Sequence, residues 1–171
     1  MSNNNSSDNK AYSNFDLQYI AGEWVKGEDD SVNTNTNPFN GETLVEIQQA
    51  TETQLDKAYQ AAQKAQIEWA KTMPAERAGL LDKVVEILDK RQDEIIDWLV
   101  KESGSTRIKA MVEFGSARAI TVEAATFPNR VHGEIRASNI PGKENFVYRE
   151  PIGVIAVISP WNFPLHLTQR S

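Results

Sequence analysis

The sequence predicts an α/β fold in which a run of helices precedes one buried parallel strand near the end of the chain. Three observations carry that expectation. Apolar residues recur at helical spacing from residue 51 to residue 125. The run Gly153-Val154-Ile155-Ala156-Val157-Ile158 is apolar on both faces and rich in β-branched residues, the pattern of a strand with helices on either side. Ser159-Pro160-Trp161-Asn162-Phe163-Pro164 then reads as a loop whose last proline opens a helix, where its missing N–H leaves no hydrogen bond unmade.

With 171 residues, 40% hydrophobic and 25% charged, the composition is globular. A domain of about 150 residues buries about 70% of its unfolded surface, so one sizeable core is within reach. The net charge of -6 argues against a nucleic-acid or anionic-membrane partner, both of which need a basic footprint. Having no cysteine, the chain has no disulfide, thiolate nucleophile or cysteine-ligated metal, and His132 and His166 cannot make a His-rich metal site between them without carboxylate help. No basic cluster leads into an apolar stretch at the start, and no apolar run approaches a membrane span, so the expected address is the cytoplasm.

Residues 1–16 read as a disordered tail, because residues 1–14 are dominated by Asn and Ser. Residues 17–25 alternate loosely around Gly22 and predict two short strands or a hairpin. Residues 31–41 read as a polar loop with turn signals at Asn37-Pro38 and Asn40-Gly41, and residues 43–49 as a strand. Thr51 and Gln54 have capping-box spacing at the start of a helix whose apolar stripe is Leu55, Ala58, Tyr59, Ala62, Ala65, Gln66 and Trp69. Pro74 fits the first turn of a second helix that buries Leu80, Leu81, Val84, Val85 and Leu88. Ile95, Ile96, Leu99 and Val100 continue an apolar face, and Gly104 suits the position just past a helix end. Residues 106–125 form a further helix with Ala110, Met111, Phe114, Ala117, Thr121, Ala124 and Ala125 on one side, small enough for close helix approach. Residues 131–135 and 145–149 read as strands joined by a Pro141-Gly142 turn.

The stretch from Tyr148 to Pro164, with its Glu-Pro-x-Gly-Val run into an apolar strand and then Pro-Trp-Asn-Phe-Pro, resembles the aldehyde dehydrogenase superfamily. Ile20-Ala-Gly-Glu-Trp24 is similar to that family's opening hairpin, Asn37-Pro-Phe-Asn-Gly-Glu42 to its turn, and Glu102-Ser-Gly104 to the end of an early helix, although Ser105 stands where many members carry Lys. The ending Leu165-His-Leu-Thr-Gln-Arg-Ser171 resembles the benzaldehyde and vanillin branch. The resemblance covers residue 17 to the last residue.

It implies an aldehyde-dehydrogenase-like fold, specifically the N-terminal part of a Rossmann-like nucleotide-binding domain. Residues 17–130 supply its strands and helices, 131–150 its oligomerisation-type strands, and 151–171 its first buried strand, loop and helix start. It further implies oxidation of an aldehyde to an acid with NAD or NADP. Asn162 is the implied catalytic residue, its side-chain amide donating to the oxyanion formed when a nucleophile attacks the aldehyde. Ile158, Ser159, Pro160 and Trp161 lie along the implied cofactor, at the carboxyl end of a parallel strand where ligands of such folds bind. Phe163, His166, Leu167 and Arg170 share one helix face and line the implied aldehyde tunnel.

The family's cysteine nucleophile, glutamate base and later cofactor contacts have no counterpart here, so the chain is expected to be the opening portion of a longer enzyme and inactive alone. The second function class is an interaction module, in which the strands at 131–149 add to the sheet edge of a homo-oligomer or full-length homologue; the third is an unrelated helical protein. An uncovered apolar strand at 154–158 is expected to leave the last forty residues poorly fixed and the chain marginal. The acids Asp93, Glu94, Asp97 and Glu102, alternating with Lys90, Arg91 and Lys101, read as a solvated helix face.

Overall fold

The computed structural model describes residues 12–171. It begins with β1 (Gln18–Ile20) and β2 (Glu23–Val25), an antiparallel hairpin in which Gln18 faces Val25. Ala21 (φ 55°) and Gly22 (φ 93°) both sit in the left-handed region, which lets a two-residue turn follow the strand twist. Next come β3 (Val32–Thr36) and β4 (Thr43–Gln48), also antiparallel. The polar loop expected over 31–41 is therefore corrected: only its second half is a turn. The Asn/Thr run of β3 has no apolar alternation, and its pairing comes from backbone hydrogen bonds to β4. A side chain on Gly27 would place Cβ 2.1 Å from the carbonyl oxygens of Gln48 and Gln49, so only glycine lets these segments approach.

Four helices follow: α1 (Glu52–Trp69), α2 (Pro74–Lys90), α3 (Gln92–Ser103) and α4 (Arg107–Thr126). The Thr51–Gln54 capping box is present at the start of α1. Gln54 is also buried, accepting from the Glu28 amide at 2.9 Å and donating to the Lys26 carbonyl at 2.8 Å, which seats α1 on the segment after β2. The apolar stripe of α1 is not covered: Leu55, Tyr59 and Trp69 are exposed among the described residues. Gly104 takes the left-handed conformation (φ 64°) that ends α3, as its sequence position predicts.

α4 is the axis of the bundle, and α2, α3 and α5 (Pro164–Arg170) all pack on it. Ala110 and Ala117 are fully buried, and with Thr121 and Ala125 they give the smooth face expected for close packing. Leu88, Ile96, Leu99, Ala110 and Phe114 form the core, bordered by Val84, Ile95, Val100 and Leu165. Leu80 and Met111, expected inside, are exposed. Arg118 on α4 holds Asp89 on α2 through two hydrogen bonds (2.5 and 2.8 Å), which keep that carboxyl below its ordinary pKa.

The expected tail of residues 1–16 is corrected at its C-terminal end; residues 1–11 lie outside the described residues. Tyr12 packs edge-on against Phe15 and Trp24, and Phe15 against Trp98 of α3. The Tyr12 amide donates to Glu94 at 3.0 Å. Glu94 is thus not a freely solvated acid: it is half-buried, and its hydrogen bonds from Arg91 hold its pKa below the usual range.

After a 3-10 turn (Phe127–Arg130), β5 (Glu134–Ala137) and β6 (Glu144–Val147) form a third antiparallel hairpin, with Ile135 and Phe146 exposed. The buried parallel strand expected at 154–158 does not form. Residues 151–160 carry no regular structure, and Ile152 and Ile158 are 94% exposed. A strand apolar on both faces needs paired strands on both edges and layers above and below; among the described residues no strand pairs with it, and Val154 meets a helix beside Ala65 and Trp69 of α1. The loosely fixed last forty residues are likewise corrected for α5, whose Leu165 borders the core. Among the described residues no helix is long and apolar enough to cross a membrane.

Hydrogen exchange of the isolated chain checks this division. Amides of residues 154–158 are expected to exchange as in unstructured peptide while those around Phe114 are protected. Protection of both would contradict it.

Candidate functional site

The site is built from α4 outward. Glu113 falls on the same face as Ala110, Phe114 and Ala117, so the helix carries a carboxylate into its own apolar stripe, where it is fully buried. A buried charge must be paired and hydrogen-bonded to be tolerated. One oxygen, Oε1, accepts from the Leu165 amide at 2.8 Å and the His166 amide at 3.4 Å. The other, Oε2, takes the ammonium of Lys109, one turn earlier on the same helix. The Lys109 Nζ also lies 4.5 Å from the centroid of the Phe163 ring.

These contacts fix α5 and the loop before it. The first amides of any helix lack intrahelical partners. α5 starts after Phe163, whose side chain makes no capping bond. Glu113 supplies the acceptor from a different helix. The loop is closed at its other end by Ser159, whose hydroxyl donates to the Pro164 carbonyl at 2.7 Å. Between these ties lies Asn162, exposed, its carboxamide forming no hydrogen bond among the described residues. Asn162 stands one residue before the cap position, and the amide within local reach of its side-chain oxygen is that of Leu165, three residues on; Glu113 takes that amide instead, and the carboxamide remains available.

The other residues singled out from sequence fall as follows. Ile158 and Trp161 project into solvent at 94% and 88% exposure, and Pro160 is exposed between them. Trp161 and Pro164 border a groove of mixed lining with Asn35, Thr36, Ile47, Leu99 and Glu102. Phe163 and His166 meet edge-on at 6.4 Å. His166 is half-buried, and its Nδ1 is buried without a hydrogen-bond partner. Leu167 is half-buried, its amide donating to the Phe163 carbonyl at 3.0 Å. Arg170 is exposed in the last turn of α5. Phe163, His166 and Leu167 are therefore brought together; the side chains of Ile158 and Arg170 are not joined to them by any hydrogen bond or ring contact among the described residues. Lys109 and Glu113 were missed by sequence reasoning. The available signal was an acid at the buried register of a small-residue helix face, four residues after a lysine.

The structure therefore combines three antiparallel hairpins, a cluster of α2, α3 and α5 on α4, and an exposed Pro-Trp-Asn-Phe-Pro loop tied to α4. The aldehyde dehydrogenase family profile matches residues 24–171, and the chain belongs to that family. Among its relatives, a vanillin dehydrogenase of Corynebacterium glutamicum is 53% identical over 89% of this chain and 31% of its own length. A benzaldehyde dehydrogenase of Bacillus subtilis is 41% identical over 94% of this chain and 33% of its own. The crystal structure of a NAD-dependent benzaldehyde dehydrogenase from Corynebacterium glutamicum superposes with a TM-score of 0.87 at 51% identity, covering 91% of this chain and 34% of that one. The chain thus spans about a third of the length of the relatives it matches.

Replacing Lys109 by Met leaves the Glu113 carboxylate buried without its cation. Breaking a buried pair from one side costs about 3 kcal/mol, a large share of a small protein's total stability. Urea unfolding followed by helical circular dichroism is expected to show that loss; an unchanged midpoint would contradict the pairing.

Proposed function

We propose that this chain is the N-terminal portion of a NAD(P)-dependent aldehyde dehydrogenase acting on aromatic aldehydes such as benzaldehyde or vanillin. The observation that carries this reading is the state of Asn162: an exposed, uncommitted carboxamide in a loop tied at both ends. Attack on an aldehyde carbon moves negative charge onto its oxygen. A fixed N–H donor aimed at that oxygen stabilises the transition state by about 3 kcal/mol, because the donor needs no reorganisation when the charge appears. Asn162 Nδ2 is that donor in this reading, and the nucleophile comes from outside this cysteine-free chain.

NAD or NADP, when bound, accepts the hydride. Ile158, Pro160 and Trp161 would hold one side of it: their exposed apolar surfaces suit the flat face of a nucleotide, while the Ser159 hydroxyl braces the turn. The Corynebacterium glutamicum relative being NAD-dependent favours NAD. Phe163, His166, Leu167 and Arg170 would form one wall for the aldehyde. The names of the vanillin and benzaldehyde relatives support an aromatic substrate, and the polar His166 and Arg170 suit one bearing oxygen substituents.

The pure chain, given NAD and benzaldehyde, is expected to yield no NADH. In a full-length enzyme carrying residues 17–171 as its N-terminal portion, Asn162→Ala is expected to lower kcat by about a hundredfold. Turnover by the chain alone, or an unimpaired N162A enzyme, would refute the reading.

A second reading is favoured by the β5–β6 hairpin, which is exposed on both faces and offers Ile135 and Phe146 to solvent. We infer that it adds to the sheet edge of another copy or of a full-length homologue. Co-expression with such a homologue is expected to give a complex that Phe146→Lys abolishes; no complex, or one indifferent to that change, contradicts it.

A further inference from the structure

We propose that Glu113 is a positioning residue for the Asn162 amide: by capping α5 from α4, its carboxylate keeps Asn162 from doing so and holds the loop in its donating geometry. The inference rests on the reading of Asn162 as the oxyanion donor.

Two side chains compete as acceptors at the start of α5. The opening amides of α5 must be satisfied by some group. Asn162 precedes the cap position, and Asn side-chain oxygens readily accept from backbone amides two or three residues on; Pro164 has no N–H, so the Leu165 amide is the one Asn162 would take. A carboxamide engaged that way directs its oxygen into the helix and is no longer oriented by the loop alone. Glu113 wins the contest because an ionised acceptor forms hydrogen bonds about twice as strong as a neutral one. It also arrives already buried on a rigid helix, with no loop entropy to lose. Its second oxygen fixes Lys109, whose ammonium lies against the ring of Phe163, the residue directly after Asn162. One carboxylate therefore sets the chain on the C-terminal side of Asn162 twice, through the Leu165 and His166 amides and through the Phe163 ring. The Ser159 hydroxyl sets the other side. Glu113 touches neither substrate nor cofactor in this account and acts through Asn162 alone.

The test uses the same full-length enzyme, assayed with benzaldehyde and NAD. Glu113→Ala is expected to lower kcat about tenfold with the KM for benzaldehyde changed less than about twofold, since a misaimed donor weakens the transition state rather than substrate binding. Glu113→Gln retains an acceptor oxygen for the amides and is expected to recover kcat to within about threefold of wild type. In an Asn162→Ala background, Glu113→Ala is expected to add less than about twofold, because the group it positions is already gone. Full activity of E113A beside an impaired N162A enzyme overturns this inference and leaves the function standing. A loss from E113A that persists undiminished in the N162A background overturns it as well, because Glu113 then acts elsewhere. An unimpaired N162A enzyme overturns the function and this inference together. Should E113A not fold, hydrogen exchange of the wild-type and E113Q enzymes decides: a protected Leu165 amide in both supports the inference, and an unprotected one in wild type overturns it.

Discussion

Glu113 is fully buried on α4, with one oxygen turned to the first amides of α5 and the other to Lys109. The position of the loop before α5 follows from that arrangement. A seven-residue helix has no stability of its own in water, because nucleation costs more than so few hydrogen bonds return. α5 exists where it does because Leu165 packs against the core and Glu113 receives the amides that the helix cannot satisfy itself. The carboxylate is tolerated inside an apolar stripe because every direction it faces contains a donor.

The chain divides into surfaces that are finished and surfaces that are not. The α2–α3–α4–α5 cluster encloses the core, with small residues on α4 letting its neighbours approach and the Asp89–Arg118 clamp outside, while Leu80, Ile87, Ile108 and Met111 remain exposed on its outer side. The stripe of α1, both faces of the β5–β6 hairpin and the apolar run at 152–158 are open. These open regions are rich in the β-branched and aromatic residues that sheets and interfaces bury. The Pro-Trp-Asn-Phe-Pro loop lies where the finished part meets the unfinished one. Under the proposed function, such a boundary is a sensible place for a donor: one side is rigid, and the other accepts the cofactor, substrate and nucleophile.

Much of the local structure was legible in the sequence because it rests on short-range chemistry. The Thr51–Gln54 box, the Pro74 helix start, the Gly104 helix end and the hairpin broken at Gly22 each depend on residues close in sequence, and each is found. The family resemblance was carried by a similarly local stretch. What could not be read depends on partners distant in sequence. β3 has a loop's composition and is a strand because β4 lies beside it. Residues 12–16 follow a tail-like stretch and are held by Trp98 and Glu94, more than eighty positions away. Residues 154–158 have a strand's composition, and no strand among the described residues pairs with them. Glu113 resembled a misplaced surface acid, since nothing in its own neighbourhood announces the amides fifty residues later that it serves.

The account's central claim is that α4 fixes the Asn162 loop within this chain, before any further protein is added. Nuclear Overhauser spectroscopy of the isolated chain addresses it directly, by looking for cross-peaks between the Leu165 amide proton and the side-chain methylenes of Glu113. The account predicts those cross-peaks, together with ones linking the Phe163 ring to the Lys109 side chain. A spectrum with the α2–α4 contacts intact and both sets absent would contradict it.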